Sequence, residues 1–138
     1  MMGRMMGIDY GTKKTGIAVT DPLQIIVNPL ETVETKTLFE FLTDYFEKEE
    51  VDKVIVGEPF MADGFTPAQH HKAVMRFVDQ FRKKFPDCEV DLSDETYSSR
   101  HAREIINRSV SSRKKRRNKL LVDKISATLI LQQYLNHI

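Results

Sequence analysis

The chain of 138 residues contains a single cysteine, Cys88, so no disulfide can form within it. It has no low-complexity tract, no internal repeat and no apolar run approaching the roughly 20 residues of a membrane-spanning helix. The opening residues 1–4 lack the apolar region of an export signal. We therefore expect a cytoplasmic protein with no membrane partner, built as a single domain over residues 1–138.

Charge is balanced overall but distributed unevenly. The formal net charge is +1, yet residues 1–99 hold eleven Lys and Arg against eighteen Asp and Glu, a net charge of −7. Residues 100–119 hold nine basic residues against Glu104 alone, a net charge of +8. A dense basic segment of this kind favours a polyanionic partner such as nucleic acid, although a solvated loop is the simpler alternative.

Hydrophobic patterning predicts an α/β fold with a mixed five-stranded sheet flanked by helices. The first three strands are expected to be antiparallel and the later ones parallel to the first. Strands are predicted at residues 5–9, 16–21, 30–33, 52–57 and 88–92. Helical spacing predicts helices from residue 37, around residues 74–81, around residues 102–106 and over roughly residues 118–136. Either Thr35 or Thr37 is expected to cap the first helix.

Carboxylates are expected at the ends of two of these strands. Asp9 ends the first apolar run, where a charge is costly unless a metal ion or a cation pairs with it. A turn-capping role that holds Thr12 or Lys13 is the alternative for Asp9. Asp94 and Glu95 stand together after the fifth strand.

A third carboxylate lies on the final helix. Asp123 shares a helical face with Ser126, Ala127 and Ile130, so it is expected to point at the sheet. An ion pair with a nearby Lys or Arg is the alternative reading. Three carboxylates on separate elements beside a basic segment would suit phosphodiester hydrolysis with Mg²⁺ or Mn²⁺, in a site that holds two metal ions.

Four motifs carry a resemblance to the YqgF/RuvX-like family, in that family's order and spacing. They are residues 7–13 (GIDYGTK), residues 56–59 (VGEP) with 63–64 (DG), residues 94–95 (DE), and residues 118–119 (NK) with 122–123 (VD). The resemblance implies a ribonuclease H-like fold and an activity as a pre-16S rRNA nuclease or a Holliday junction resolvase. It also implies that Asp9, Glu95 and Asp123 are the catalytic residues and the metal ligands.

Strand alternation alone would instead favour Asp94, which shares a face with Val90 and Leu92. The choice of Glu95 therefore depends on the resemblance, and Asp94 remains a reserve candidate. The chain also departs from the family at two positions, with Thr96 where an Arg is usual and Glu58 where an apolar residue is usual. We expect Glu58 to face solvent, and the alternative is that it adds charge to the site.

Cations near the predicted site are candidates for binding the phosphate backbone. Lys13 and Lys14 lie in the turn after Asp9. Arg100 or Arg103 could replace the missing Arg. The other candidates lie in the basic tract, residues 113–119. The candidates are Lys13, Lys14, Arg100, Arg103, Lys114, Lys115, Arg116, Arg117 and Lys119.

The leading hypothesis is a metal-dependent nuclease that processes the 5′ end of pre-16S rRNA. The alternatives are a Holliday junction resolvase acting on branched DNA and a non-catalytic RNA-binding assembly factor. The opening residues 9–13 also suit the phosphate loop of actin-like and sugar-kinase ATPases, but those enzymes need two such domains and 138 residues supply one. A monomer or a weak dimer is expected.

Overall fold

The computed structural model describes residues 3–59, 68–94 and 119–135, with only the backbone described for residues 119–124. These residues contain five strands: β1 (Arg4–Asp9), β2 (Lys14–Thr20), β3 (Val27–Glu34), β4 (Val51–Glu58) and β5 (Glu89–Asp94). The same residues contain three α-helices: α1 (Leu38–Lys48), α2 (His71–Lys84) and α3 (Lys119–Tyr134). A single 3₁₀ turn, Thr35–Thr37, joins β3 to α1 within the described residues. The helix predicted around residues 102–106 lies outside them.

The strands form one mixed sheet in the order β3-β2-β1-β4-β5. β1 pairs antiparallel with β2, which pairs antiparallel with β3, whereas β4 is parallel to both β1 and β5. The predicted fold class is therefore confirmed. β3 begins earlier than predicted, and its register skips Leu30 beside Pro29, a residue that interrupts regular strand pairing.

The main core lies between the sheet and the two helices α1 and α2. The predicted stripe of α2 is buried as expected, since Val74, Phe77, Val78 and Phe81 are each at most 2% exposed. Alternate residues of β1 and β4 face this layer because side chains alternate along a strand. They are Met6, Ile8, Val54 and Val56.

The other face of the sheet is covered by α3. Its side of the core contains Met5 and Ile55 from the strands and Ile130 and Leu131 from the helix. None of the helices in the described segments combines the length and apolar character needed to cross a membrane.

Gly7 is the point of closest approach between β1 and α3. A Cβ atom added to Gly7 would lie 2.8 Å from the backbone oxygen of Ala127 and 3.0 Å from the Cβ of Leu131. Ser126 and Ala127 are fully buried here. The small residues on both elements are therefore what allow the helix to lie this close to the sheet.

We predict that Gly7→Ala destabilises the fold by about 1–3 kcal/mol, because the added methyl group would displace helix backbone rather than a flexible side chain. At an unconstrained site the same change would stabilise by about 0.4–1 kcal/mol, through the unfolded chain. Urea denaturation of the variant and the parent measures the difference. An unchanged or raised midpoint would contradict the close approach of α3.

Candidate active site

Three strands bring acidic residues to one edge of the sheet. β1, β4 and β5 are mutually parallel and end at Asp9, Glu58 and Asp94. Ile8 is level with Val56, and Glu58 is level with Asp94. The ends of parallel strands meet at one edge, so these three strands end at the same edge of the sheet.

The acidic residues at this edge do not share one face of the sheet. Asp9 alternates with Met5 and Gly7, which face α3. The next residue, Tyr10, stacks on Phe77 of α2 with ring centroids 4.8 Å apart, as alternation requires. Asp9 is therefore on the α3 face, where it is partly buried.

Asp94 lies on the opposite face. It alternates with Val90 and Leu92, both of which pack against the core beneath α1 and α2. The α3 face of β5 is marked instead by Asp91, whose Oδ2 accepts a hydrogen bond of 2.8 Å from the hydroxyl of Tyr134. Asp94 is thus poorly placed to share a site with Asp9, which removes the main structural argument for it as a reserve candidate.

The backbone of Asp123 lies within α3, near its start. This helix runs antiparallel to β1, because Ala127 lies against Gly7 while Tyr134 bonds to Lys53 near the beginning of β4. Residue 123 is one helical turn, about 6 Å, before Ala127. Asp9 is two strand residues, about 7 Å, beyond Gly7 in the same direction. The backbones of residues 9 and 123 therefore approach the same edge on the same face.

A threonine network builds the turn that carries Lys13 and Lys14. The Thr35 hydroxyl donates to the carbonyl of Gly11 (2.6 Å) and contacts the buried Thr15 hydroxyl (2.9 Å). The Thr35 amide donates to the carbonyl of Lys13 (2.9 Å). Both lysines are exposed beside the end of β1. A Cβ on Gly11 would collide with the carbonyl of Lys14, so this turn requires glycine.

The prediction that a threonine side chain caps α1 is wrong. Thr37 occupies the N-cap position of α1, but no side-chain capping bond is formed there, and its hydroxyl donates to the carbonyl of Glu34 (2.9 Å). Thr35 instead ties the β1–β2 turn to β3. Sequence reasoning missed this network because a threonine just before a helix reads equally well as a cap.

Glu58 does not face solvent as expected. Its Oε2 lies 2.9 Å from Nε2 of His71, the first residue of α2, and its side chain is only 25% exposed. By alternation Glu58 shares the face of Val54 and Val56, away from Asp9. This departure from the family pattern therefore anchors α2 and adds no charge to the face on which Asp9 lies.

Most of the other predicted site residues cannot be placed. Outside the described residues lie Glu95, Arg100, Arg103, Lys114, Lys115, Arg116 and Arg117, together with the side chains of Lys119 and Asp123. Within residues 3–59, 68–94 and 125–135, no three His, Cys, Asp or Glu side chains lie close enough to hold a metal ion.

Cys88 is unsuited to nucleophilic chemistry. Burial, with smaller contributions from Asp52 and Glu89, raises the pKa of its thiol to about 11. The thiolate is the reactive form, so the thiol is inert near neutral pH. Its Sγ lies 3.7 Å from the carbonyl of Val51, at the start of β4 and away from the edge that carries Asp9.

Comparison with known proteins identifies the family. The family model for RuvX, described as a Holliday junction resolvase, matches residues 3–137. A protein of Flavobacterium psychrophilum named "Putative pre-16S rRNA nuclease" is 46% identical over 97% of both chains. A protein of the same name from Flavobacterium johnsoniae is 47% identical over 98% of this chain and 97% of its own. Among solved structures, Pelota of Archaeoglobus fulgidus has a TM-score of 0.47 and 17% identity, over 99% of this chain and 37% of that chain, too weak a likeness to carry an argument.

The five-stranded mixed sheet has the strand order and directions expected of a ribonuclease H-like fold, and the relatives named above are described as nucleases. The chain belongs to the RuvX family, as the matched model and these relatives show.

We predict that Thr35→Val lowers the free energy of unfolding by about 1–3 kcal/mol, because it leaves the buried Thr15 hydroxyl and the Gly11 carbonyl without their partner. Thr37→Val is the matched control, and it should change stability by no more than about 0.5 kcal/mol because its hydroxyl is exposed. Equilibrium unfolding of both variants measures the difference. Equal losses in the two variants would mean that the threonine network contributes nothing particular to the turn.

Proposed function

We propose that the chain hydrolyses phosphodiester bonds of structured nucleic acid, with residues 1–138 acting as one nuclease domain and with Asp9, Glu95 and Asp123 as metal ligands. The observation that carries the proposal is the meeting of β1 and α3. Asp9 is on the face that α3 covers, and the backbone of residue 123 approaches the edge at which β1 ends. Helix packing at Gly7 thus supports a shared site for two of the three carboxylates.

The face of β5 supports Glu95 as the third ligand. Asp91 and Ser93 are on the α3 face of this strand and Asp94 is on the other. Asp94, the alternative within the described part of β5, is therefore on the face opposite Asp9, and this favours the residue that the family resemblance implies.

The donor set suits a hard divalent cation. Carboxylate oxygens are the ligands that Mg²⁺ and Mn²⁺ prefer, and the described part of the site offers no thiol or imidazole on the Asp9 face that would favour a softer metal. A bound pair of such ions would activate a water and stabilise the leaving oxygen. The protein's own contribution is to hold the carboxylates on rigid elements, since Asp9 ends a strand that is buried on both faces.

Cations around the edge would bind the phosphate backbone. Lys13 and Lys14 are exposed on a turn fixed by Thr35, so they can contact phosphates next to Asp9 with little loss of backbone entropy. The tract at residues 113–117 follows β5 in the chain and precedes α3. Both elements lead to the edge that carries Asp9, which supports binding of nucleic acid at that edge.

We propose pre-16S rRNA, cleaved during 5′-end processing, as the substrate. The named activity of relatives 46–47% identical over nearly the whole chain favours it. Branched DNA is the second candidate because the matched family model carries the description of a Holliday junction resolvase. A non-catalytic RNA-binding role would retain the cations without needing the carboxylates.

The deciding experiment incubates pure protein with a labelled pre-16S rRNA fragment and with a four-way DNA junction, each with and without Mn²⁺. We predict that Asp9→Asn lowers the cleavage rate at least about 100-fold, because it removes a ligand charge from the metal site. Binding should hold or tighten, since a charge that repels phosphate is also lost. Asp94→Asn is the matched control on the opposite face and should retain most of the activity.

Two results would contradict the proposed mechanism. One is an Asp9→Asn variant that cleaves as fast as the parent. The other is an Asp94→Asn variant that fails while Glu95→Gln remains active. If the parent cleaves neither substrate with metal but binds the RNA, the non-catalytic alternative is supported.

A further prediction separates binding from cleavage. Replacement of Lys114, Lys115, Arg116 and Arg117 by Gln should weaken binding of the RNA and flatten its dependence on salt. The slope of log K against log salt should fall by roughly 0.7 to 0.9 per lost phosphate contact. Binding titrations at several salt concentrations measure the slope. An unchanged slope would move the contact to Lys13 and Lys14, which Gln substitutions there would test.

A further inference from the structure

Large apolar side chains are exposed at the edge of the sheet where β1 begins, far from Asp9 at the end of β1. β2 runs antiparallel to β1, so the loop after Thr20 lies where β1 begins. In this loop, Leu23, Ile25 and Ile26 are 64%, 61% and 59% exposed, and they are the strongly exposed large hydrophobic residues of the described segments. We call residues 21–26 the apolar turn. Such side chains clustered on one turn indicate an interaction surface.

The apolar turn is held in a defined conformation. Oδ1 of Asp21 accepts hydrogen bonds from the amides of Ile25 (2.7 Å) and Ile26 (2.8 Å). The Asp21 amide donates to the carbonyl of Ile26 (3.1 Å), which closes the turn. These bonds, that to Ile26 above all, keep the pKa of Asp21 below its ordinary value. The exposed side chains are therefore presented by a fixed backbone, which limits the entropy lost on binding.

Gln24 connects the apolar turn to a neighbouring hollow. Its φ of +60° is the only positive value among the described non-glycine residues, a conformation that costs energy for a side chain with a Cβ. This backbone turns the Gln24 side chain inward, where Nε2 donates to the carbonyl of Gly3 (2.8 Å) and reaches Asp52 (3.4 Å). The flanking apolar side chains are left on the outside.

The hollow beside the turn is open and acidic. It has a volume of about 460 Å³, and its charged lining consists of Asp52, Asp87, Glu89 and a single cation, Lys53. Lys53 is already engaged, because its Nζ lies 3.6 Å from Glu89 and donates to the hydroxyl of Tyr134 (3.0 Å). The lining of the hollow therefore carries net negative charge next to apolar surface.

We propose that the apolar turn and its acidic hollow dock a protein segment that combines basic and apolar side chains. The apolar side chains of the segment would cover Ile25 and Ile26, and a Lys or Arg would enter the hollow. Charge complementarity selects this occupant over nucleic acid, because the local carboxylates repel phosphate. The surface lies at the far edge from Asp9, so the protein could hold such a partner while its nucleic acid occupies the site.

The test uses a fluorescein-labelled peptide of twelve residues in which Lys and Leu alternate, with fluorescence anisotropy as the readout. The protein should bind it in the micromolar range, and the double variant Ile25→Ser, Ile26→Ser should bind at least tenfold more weakly. Asp87→Asn should weaken binding severalfold. Glu40→Gln combined with Asp44→Asn, two exposed positions on α1, makes the same type of charge change elsewhere and should leave binding unchanged.

Controls distinguish this proposal from simple charge attraction and from self-association. A Lys–Ser peptide and a Glu–Leu peptide of equal length should both bind poorly, and amide NMR shifts induced by the Lys–Leu peptide should centre on residues 21–26. The proposal is overturned if the Lys–Ser peptide binds as tightly, or if the Ile25, Ile26 double variant loses nothing. Sedimentation that shows the parent to dimerise through this turn would overturn it in favour of a second copy. Asp9→Asn should bind the peptide normally, so the result does not depend on the nuclease mechanism.

Discussion

The close contact between Gly7 and α3 is the constraint on which the candidate site depends. A glycine in the middle of β1 weakens the strand and leaves a gap in the side-chain layer. That gap is filled by helix backbone, with Ala127 lying against it. A larger residue at either position would push the helix outward and carry Asp123 with it. Gly7, two residues before Asp9, therefore determines the geometry of the predicted metal site, because it has no side chain that would keep α3 away.

Register between strands determines which carboxylates share a face. Within β5, alternation states only that Asp94 is on the side of Leu92. It does not state which side of the sheet that is, because this depends on how β5 pairs with β4 and β4 with β1. Once Glu58 is level with Asp94 and Val56 with Ile8, the side is known, and Asp94 falls on the face opposite Asp9. Periodicity within β5 alone therefore cannot decide whether Asp94 shares a face with Asp9.

The sequence predicted most of the fold, but it did not predict the side-chain contacts around the candidate site, and the physical reasons differ. The α2 stripe from Val74 to Phe81 follows a period of 3.6, a property of the local chain, and it was predicted correctly. The roles of Thr35 and Glu58 were not predicted correctly because their partners are distant in sequence. Thr35 bonds to Gly11, 24 residues away, and Glu58 bonds to His71, 13 residues away. A polar residue's local pattern does not specify a partner at that separation.

The two edges of the sheet have different electrostatic requirements. Residues 1–99 carry a net charge of −7, so the body of the protein repels a polyanion as a whole. A site made of the predicted carboxylates would add to that repulsion, and Lys13 and Lys14 on their exposed turn would oppose it locally. Because screening shortens these forces to roughly 8 Å at physiological salt, the cations need only surround the edge that carries Asp9. The far edge needs no such cations. Its acidic surface beside the exposed Ile25 and Ile26 would repel nucleic acid and attract a basic protein.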